Sequence, residues 1–204
     1  PIAMMQLEKT MGEELFQKGV QQYLKQHCMA NADWNELISV FDTLTPGDPK
    51  EWSKAWVEQA EMPVMASKVK VEKDNSANLS ITQKSKGIEM PMQYSIALIG
   101  ETSQAVNFDI MHDKSQVKID LENGEKDIIL LNSNGLGYGQ FITEQDNLNK
   151  LINPSFVVDD AVARASNLIS VNEIFLNGKL NKSEYFNFLL SSLNKEKEPQ
   201  IRNY

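Results

Sequence analysis

Apolar residues recur with helical period in the first third of the chain. Those of residues 13–26 fall on one face, and a second stripe covers residues 34–44. This spacing is typical of amphipathic helices. A Thr-Pro-Gly sequence around Pro46 interrupts the pattern. Asp48, which is followed by proline, then predicts the capped start of a short helix that ends before Pro63.

The period changes to two in the middle of the chain. Turn-forming residues separate the alternating runs, and Asn123-Gly124 between two of them is typical of a β-hairpin. Each run has one polar face, which favours an antiparallel sandwich over a parallel sheet buried on both sides. The six runs are Val69–Val71, Leu79–Ile81, Met92–Leu98, Val106–Ile110, Val117–Leu121 and Ile128–Leu131.

Helical period returns after a glycine-rich stretch, Gly135–Gly139. We interpret this stretch as a linker between sheet and helices, because it lacks both G-x-G-x-x-G spacing and the lysine of a phosphate-binding loop. The pattern then predicts a short helix over residues 146–152 and a longer one capped by Ser155. Gly178 is predicted to end a helix and Asn181 to cap the next.

These patterns predict an α+β multidomain chain. A helical segment over residues 1–63 precedes an antiparallel β-sandwich over residues 64–134, and a solenoid-like helical segment follows over residues 135–204. The apolar share of 41% and the charged share of 24% are ordinary for a globular protein.

Charge and cysteine content narrow the function classes. A formal net charge of −8 makes nucleic acid and anionic membrane surfaces poor partners, since both are negatively charged. No apolar run is long enough to predict a membrane span. Cys28 is the only cysteine, so an internal disulfide is excluded.

The sequence offers few side chains for catalysis. Its two histidines, His27 and His112, do not form the two-histidine helix face of a zinc hydrolase. We interpret His27 as structural and His112 as solvated in a turn. Cys28 is predicted to be a buried, inert thiol, and Asp159-Asp160 to be solvated helix positions. The sequence therefore assigns no catalytic, cofactor-binding or metal-ligating residue.

Several strings in combination resemble the aminopeptidase N family of zinc metallopeptidases over essentially the whole chain. Residues 27–32 are similar to that family's H-x-[YF]-G-N-A, and residues 52–64 to its W-x-x-Q-x-G-[FY]-P-V. Met29-Ala30 and Glu61-Met62 depart from the aromatic and glycine residues that are usual there. The other matching strings are Leu7–Phe16, Gly19–Leu24, Leu79–Gln83, Met90–Met92, Asn132–Gln140, Asp159-Asp160 and Glu196–Pro199.

The resemblance implies a parent protein that uses zinc-activated water to remove N-terminal residues from peptides. The family's HExxH motif, its downstream glutamate, its G-x-M-E-N loop and its catalytic tyrosine all precede the segment that this chain matches. We therefore expect zinc in the full-length parent and none in this chain. The expected partners are the remainder of the parent chain and, in the parent, a peptide substrate. The sandwich would brace the helical parts and help close the peptide chamber.

Two alternatives remain open. One is a stand-alone sandwich and helical module for binding or scaffolding, and the other is a small hydrolase with an unrecognised site. Pro1 leads directly into an apolar stretch and Tyr204 follows a helix start, so we expect both to be cut ends of a longer protein. Apolar side chains near residues 2–5 and Ile201 would then be exposed, which predicts self-association. The compartment is left undefined.

Overall fold

The computed structural model describes residues 2–203 and places helices on both sides of a β-sandwich in chain order, which confirms the α+β class. The expectations about Pro1 and Tyr204 lie outside these residues. The elements are α1 (Ile2–Met11), α2 (Glu13–Gln26), α3 (Trp34–Asp42), α4 (Pro49–Ser53), a π-helical turn (Lys54–Glu58), β1 (Val64–Val71), β2 (Ser76–Lys84), β3 (Met92–Ile99), β4 (Ser103–Ile110), β5 (Lys114–Asp120), a 3-10 turn (Gly124–Lys126), β6 (Ile128–Leu130), β7 (Gln140–Ile142), α5 (Gln145–Leu151), α6 (Ala161–Leu176), α7 (Lys182–Lys195) and α8 (Pro199–Arg202).

The N-terminal helices form where the apolar period predicts them. The Asp48 carboxylate accepts a hydrogen bond from the Glu51 N–H at 2.9 Å, so the predicted helix start is confirmed. Helix α2 crosses α3 at Gly19, where an added Cβ would overlap the Phe41 ring. The rings of Phe16 and Phe41 stack there with centroids 5.4 Å apart. The helices share one core, made by Leu7, Met11, Ile38, Phe41 and Trp52.

The strands form two sheets. One, sheet A, has the order β5-β2-β1-β7, and the other, sheet B, has the order β4-β3-β6. All neighbouring pairs are antiparallel except β1 and β7, which run parallel. The antiparallel sandwich is therefore confirmed, and residues 2–203 contain one strand more than predicted. The sequence pattern misses β7 because a three-residue strand is too short to establish a period of two.

The Asn123-Gly124 hairpin prediction is wrong. The strands on either side of this pair, β5 and β6, belong to different sheets. Gly124 adopts a φ of 60° and opens a 3-10 turn instead. The Asp127 carboxylate accepts from the N–H groups of Glu122 and Asn123 and so fixes the crossing between sheets. A side-chain acceptor has thus replaced the cross-strand bonds that a hairpin would provide.

Strand β3 is buried on both faces, which corrects the prediction of one polar face for every strand. One face joins the sandwich core through Met92, Tyr94 and Ile96. Its other face contributes Ala97 to a second cluster that includes Leu151 and Val158. The C-terminal region therefore covers sheet B from outside.

The C-terminal helices match the predictions except at the start of α6. The predicted helix over residues 146–152 is present as α5. Ser155 does not cap α6, which instead begins at Ala161, with the Asp160 carboxylate accepting from the Ala163 N–H at 2.7 Å. Gly178 ends α6 at a φ of 70°, and Asn181 caps α7 as predicted. No helix among residues 2–203 is long and apolar enough to cross a membrane.

Replacing Gly19 by alanine should destabilise the helical segment. The added methyl would overlap the Phe41 ring, and overpacking of this kind costs about 1–3 kcal/mol. Part of that is offset by the higher helix propensity of alanine, which is worth about 1 kcal/mol. Urea unfolding should show a net loss of unfolding free energy for Gly19→Ala. Lys18→Ala, at an exposed position of the same helix, is the control. Equal stability of the two variants would contradict the close approach of α2 and α3.

Replacing Tyr94 by phenylalanine should leave stability unchanged or raise it. Burial raises the pKa of the Tyr94 phenol, and its hydroxyl has no hydrogen-bond partner in the described structure. Removing an unsatisfied buried hydroxyl removes a desolvation cost of about 1–3 kcal/mol. Tyr23→Phe is the matched control, because the Tyr23 hydroxyl donates to the Asp33 carbonyl. A clear loss of stability in Tyr94→Phe alone would show that its hydroxyl has a partner.

Candidate functional site

The two histidines lie in separate parts of the fold. His27 follows α2, with its ring 4.9 Å from that of Tyr23 and its Nδ1 3.7 Å from Glu36 Oε2. His112 lies exposed in the turn between β4 and β5, as predicted, with its Nδ1 3.8 Å from Glu89 Oε2. No three histidine, cysteine, aspartate or glutamate side chains among residues 2–203 are placed to hold a metal ion.

Cys28 is exposed, and the prediction of a buried thiol is wrong. Helix α2 ends at Gln26, two residues earlier, so Cys28 lies in the following turn and not on a packed helix face. Met29, the next residue, is exposed and adopts a φ of 66°. Beyond the end of the helix there is no packed helix face to bury the thiol, so the apolar character of cysteine does not decide its burial.

Asp159 and Asp160 are exposed, as predicted. The prediction that they lie within a helix is wrong, because both precede α6. Asp160 caps α6. Asp160 therefore has a local structural role at a helix start.

The glycine-rich stretch connects β6 to β7 and not sheet to helix, so its interpretation as a sheet-to-helix linker is corrected. The Asn132 side chain accepts from the Gly137 N–H at 2.7 Å and donates to the Gly137 carbonyl at 3.1 Å. Gly135 N–H donates to the Asn132 carbonyl, and Leu136 N–H donates to Asn134 Oδ1. Amides that could bind a phosphate are thus occupied by the chain itself.

Gln6 links α1 to the sandwich. The side chain is fully buried, and its Oε1 accepts from the Gln93 N–H at 2.8 Å. Its Nε2 donates to the carbonyls of Gln93 and Leu136, both at 2.7 Å. Strand β6 pairs with β3 only over Ala97–Ile99, so Gln6 continues that edge of β3 where β6 is absent.

The same arrangement recurs around the start of β3. We use the term amide bracket for a side-chain amide that accepts from the N–H and donates to the C=O of one residue. Gln59 brackets Ile88 and Gln83 brackets Met90, just as Gln6 brackets Gln93. The three glutamines come from the end of the π-helical turn, from β2 and from α1.

An aromatic group adds to these contacts between the N-terminal helices and the residues around the start of β3, which we call the junction. Trp56 lies in the π-helical turn and donates its indole N–H to the Pro91 carbonyl at 2.8 Å. Its ring stacks on Trp52 at 5.6 Å and contacts Tyr138 at 6.3 Å. The Glu61 carboxylate accepts from the N–H groups of Lys86 and Gly87, and the Lys86 bond is the main cause of a lowered pKa for Glu61. The junction holds backbone in place and has no arranged acid–base pair.

A bidentate ion pair fixes the C-terminal helices. Arg164 on α6 donates from Nε to Glu196 Oε2 at 2.8 Å and from Nη2 to Glu196 Oε1 at 3.0 Å. Glu196 also accepts from the N–H groups of Lys197 and Glu198. The Arg164 hydrogen bonds, helped by those from the Glu198 and Lys197 N–H groups, lower the pKa of Glu196 from 4.5 to about 2.

Sequence patterns could not identify these contacts. A glutamine inside an amphipathic helix is indistinguishable from a solvated residue until its neighbours are known, and Gln6 has that appearance. The only signal is that Gln6 lies directly beside Leu7, on the edge of the apolar face.

Comparison with known proteins confirms the resemblance to the aminopeptidases. The chain is 24% identical over 210 residues to aminopeptidase N of Streptomyces lividans, covering 95% of this chain and 24% of that protein. It is 25% identical over 198 residues to tricorn protease-interacting factor F2 of Thermoplasma volcanium, covering 93% of this chain and 23% of that protein. The chain is thus related to the aminopeptidases and spans about a quarter of the length of these relatives.

Comparison with solved structures also finds an aminopeptidase that shares the fold of this chain. Legionella pneumophila aminopeptidase A, solved in complex with aspartic acid, matches with a TM-score of 0.59 and 13% identity, over 96% of this chain and 24% of that one. No family model matches the chain.

The Arg164–Glu196 pair should give the protein an acid-dependent component of stability. A carboxyl whose pKa is lowered on folding stabilises the folded state above its unfolded pKa of 4.5, and this contribution is lost as the pH falls toward about 2. Arg164→Met should lower the free energy of unfolding at neutral pH by about 1–3 kcal/mol and flatten its slope between pH 4.5 and 2.

Urea unfolding at a series of pH values measures this component. Lys50→Met is the control, because it removes an exposed ion pair with Asp42 that is worth less than about 1 kcal/mol. Parallel pH profiles for wild type and Arg164→Met would contradict the assignment.

Proposed function

We propose that this chain is a non-catalytic part of a zinc-dependent aminopeptidase, whose longer parent removes N-terminal residues from peptides. The observation that carries the proposal is the similarity to aminopeptidase N along 95% of the chain, set against coverage of only 24% of that relative. The zinc and substrate residues would then lie in sequence that precedes Ile2. Zinc and peptide substrate are partners of the parent.

The helices at the C-terminal end support a role within a larger protein. On α6, Val162, Ile169 and Leu176 are exposed at seven-residue spacing, although the opposite face already packs through Val171 and Ile174. A helix that is apolar on several faces is typical of a buried position. The remainder of the parent chain would cover this surface.

Helix α7 also has an exposed apolar surface. Phe186, Leu190 and Leu193 form a second exposed apolar stripe at spacings of four and three residues. We propose the division into residues 1–63, 64–134 and 135–204 as the parent's organisation, with β7 extending sheet A into the third part. The sandwich would brace the helical parts through the amide brackets.

The alternative function is a stand-alone binding or scaffold module. It is favoured by the hydrogen bonds that Gln6 and Trp56 make to backbone groups of Gln93 and Pro91, since these join helices and sandwich within the chain itself. Such a module should remain monomeric. Of the apolar side chains expected to be exposed near the two ends, Met5 is exposed, whereas Ile2, Met4 and Ile201 are only partly exposed. The proposed fragment should therefore self-associate or bind a hydrophobic dye mainly through the α6 and α7 stripes.

The proposal predicts that the 204-residue chain neither binds stoichiometric zinc nor hydrolyses peptides, whereas its full-length parent does both. Metal analysis and release of N-terminal residues from unmodified peptides provide the measurements, and N-terminally acetylated peptides are the negative substrate control. Turnover by the 204-residue chain, or a zinc-free and inactive parent, would overturn the proposal.

A further inference from the structure

We propose that Asn123 is a site of spontaneous modification, where the side-chain amide is lost and isoaspartate forms. The chain contains three Asn-Gly pairs, which begin at Asn123, Asn134 and Asn177. Glycine after asparagine favours this reaction, because a residue without a Cβ lets its backbone nitrogen approach the preceding side chain. All three pairs share this composition, so the hydrogen bonds of the folded chain decide which of them reacts.

The reaction requires no co-reactant other than water. The backbone nitrogen of Gly124 attacks Cγ of Asn123 and forms a new C–N bond. The bond from Cγ to Nδ2 breaks, and Nδ2 leaves as ammonia with the proton from the Gly124 N–H. Water then opens the cyclic succinimide at one of its two carbonyls. Cleavage at Cγ gives aspartate, whereas cleavage at the original backbone carbonyl gives isoaspartate, in which the chain continues through Cβ and Cγ.

The pair at Asn134 is restrained at both reacting groups. The Gly135 N–H donates to the Asn132 carbonyl at 2.9 Å. The Asn134 side chain donates to Ser95 Oγ at 3.0 Å and accepts from the Leu136 N–H at 3.2 Å. Ring closure here has to break the bonds of both the attacking nitrogen and the amide that it attacks.

The pair at Asn177 is restrained in the same way, although Asn177 is exposed. The Gly178 N–H donates to the Phe175 carbonyl at 2.9 Å. The Asn177 side chain donates from Nδ2 to the Glu173 carbonyl at 2.7 Å. Exposure alone therefore does not free an Asn-Gly pair for reaction.

The pair at Asn123 has neither restraint. Among residues 2–203, no hydrogen bond is made by the Gly124 N–H or by the exposed Asn123 side chain. Ring closure requires rotation about the Cα–C bond of Asn123 from its ψ of 22°. The bonds that oppose this rotation are those that the Asn123 and Gly124 carbonyls accept from the N–H groups of Lys126 and Asp127, at 3.3 Å and 3.1 Å. Both are at the long end of the range for such bonds.

Isoaspartate at this position would weaken the crossing between the two sheets. The Asn123 N–H donates to the Asp127 carboxylate at 3.2 Å. In isoaspartate the new carboxylate is attached to the Cα beside that N–H, which brings a second negative charge close to Asp127. The main chain between β5 and β6 also gains a methylene. Asn123→Asp is the matched comparison, because it adds the same charge without lengthening the main chain.

The test is to incubate the folded chain at mildly alkaline pH and to follow the three pairs by peptide mapping and by enzymatic methylation of isoaspartyl carboxylates. Asn123 should convert roughly tenfold faster than Asn134 and Asn177, since their hydrogen bonds must open first. In guanidinium chloride, where the fold protects none of them, all three should convert at similar rates. Asn123→Gln, whose longer side chain disfavours ring closure, should lose the methylation signal, and Asn177→Gln should keep it.

Three outcomes would overturn the proposal. One is equal or faster conversion of Asn134 or Asn177 in the folded chain. Another is an Asn123 that stays intact in the folded chain but converts in denaturant, because the turn would then protect it. The third is a modified form, isolated by anion exchange, that unfolds at the same temperature as Asn123→Asp, since isoaspartate should lower the unfolding midpoint further. None of these results depends on peptidase activity, so they are independent of the proposed function.

Discussion

The constraint on which the structure depends is the satisfaction of backbone groups at the edge of β3. Strand β3 runs through the centre of sheet B and is buried on both faces, yet β6 covers only its last three residues. Buried N–H and C=O groups without partners are strongly disfavoured. Gln6 supplies the missing partners for Gln93, and the Ser133 N–H donates to the Ser95 carbonyl. An edge that would otherwise require another strand is completed by a side chain and a turn.

Side chains complete the other edges in the same way. Asn147 on α5 brackets Ile129 on the outer side of β6, and the Glu144 carboxylate accepts from the Val69 N–H beyond the end of β7. The short strands of this sandwich therefore depend on the flanking helices for their hydrogen bonds. The helices in turn are oriented by the strands that they complete. This mutual dependence gives a physical reason for helices and sandwich to occur together in one chain.

The sequence predicts the elements well and their connections poorly. Helices α2, α3, α5 and α7 and the long strands follow from periodicity and capping residues, both of which are local. The errors concern how elements connect and where helices begin and end. Asn123-Gly124 has the composition of a hairpin but connects two sheets, and Cys28 has the character of a core residue but follows the end of its helix. Gln6 carries no local signal of its burial, so the junction could be found only in three dimensions.

The central claim is that side-chain amides at the start of β3 satisfy backbone N–H and C=O groups as a neighbouring strand would. Amide hydrogen exchange of Gln93 and Met90 in the intact chain tests it most directly. The account predicts that both N–H groups exchange only through global unfolding, as slowly as those paired within β3 and β4. Exchange at the rate of exposed loops would contradict it, because the brackets would then be too short-lived to hold helices and sandwich together.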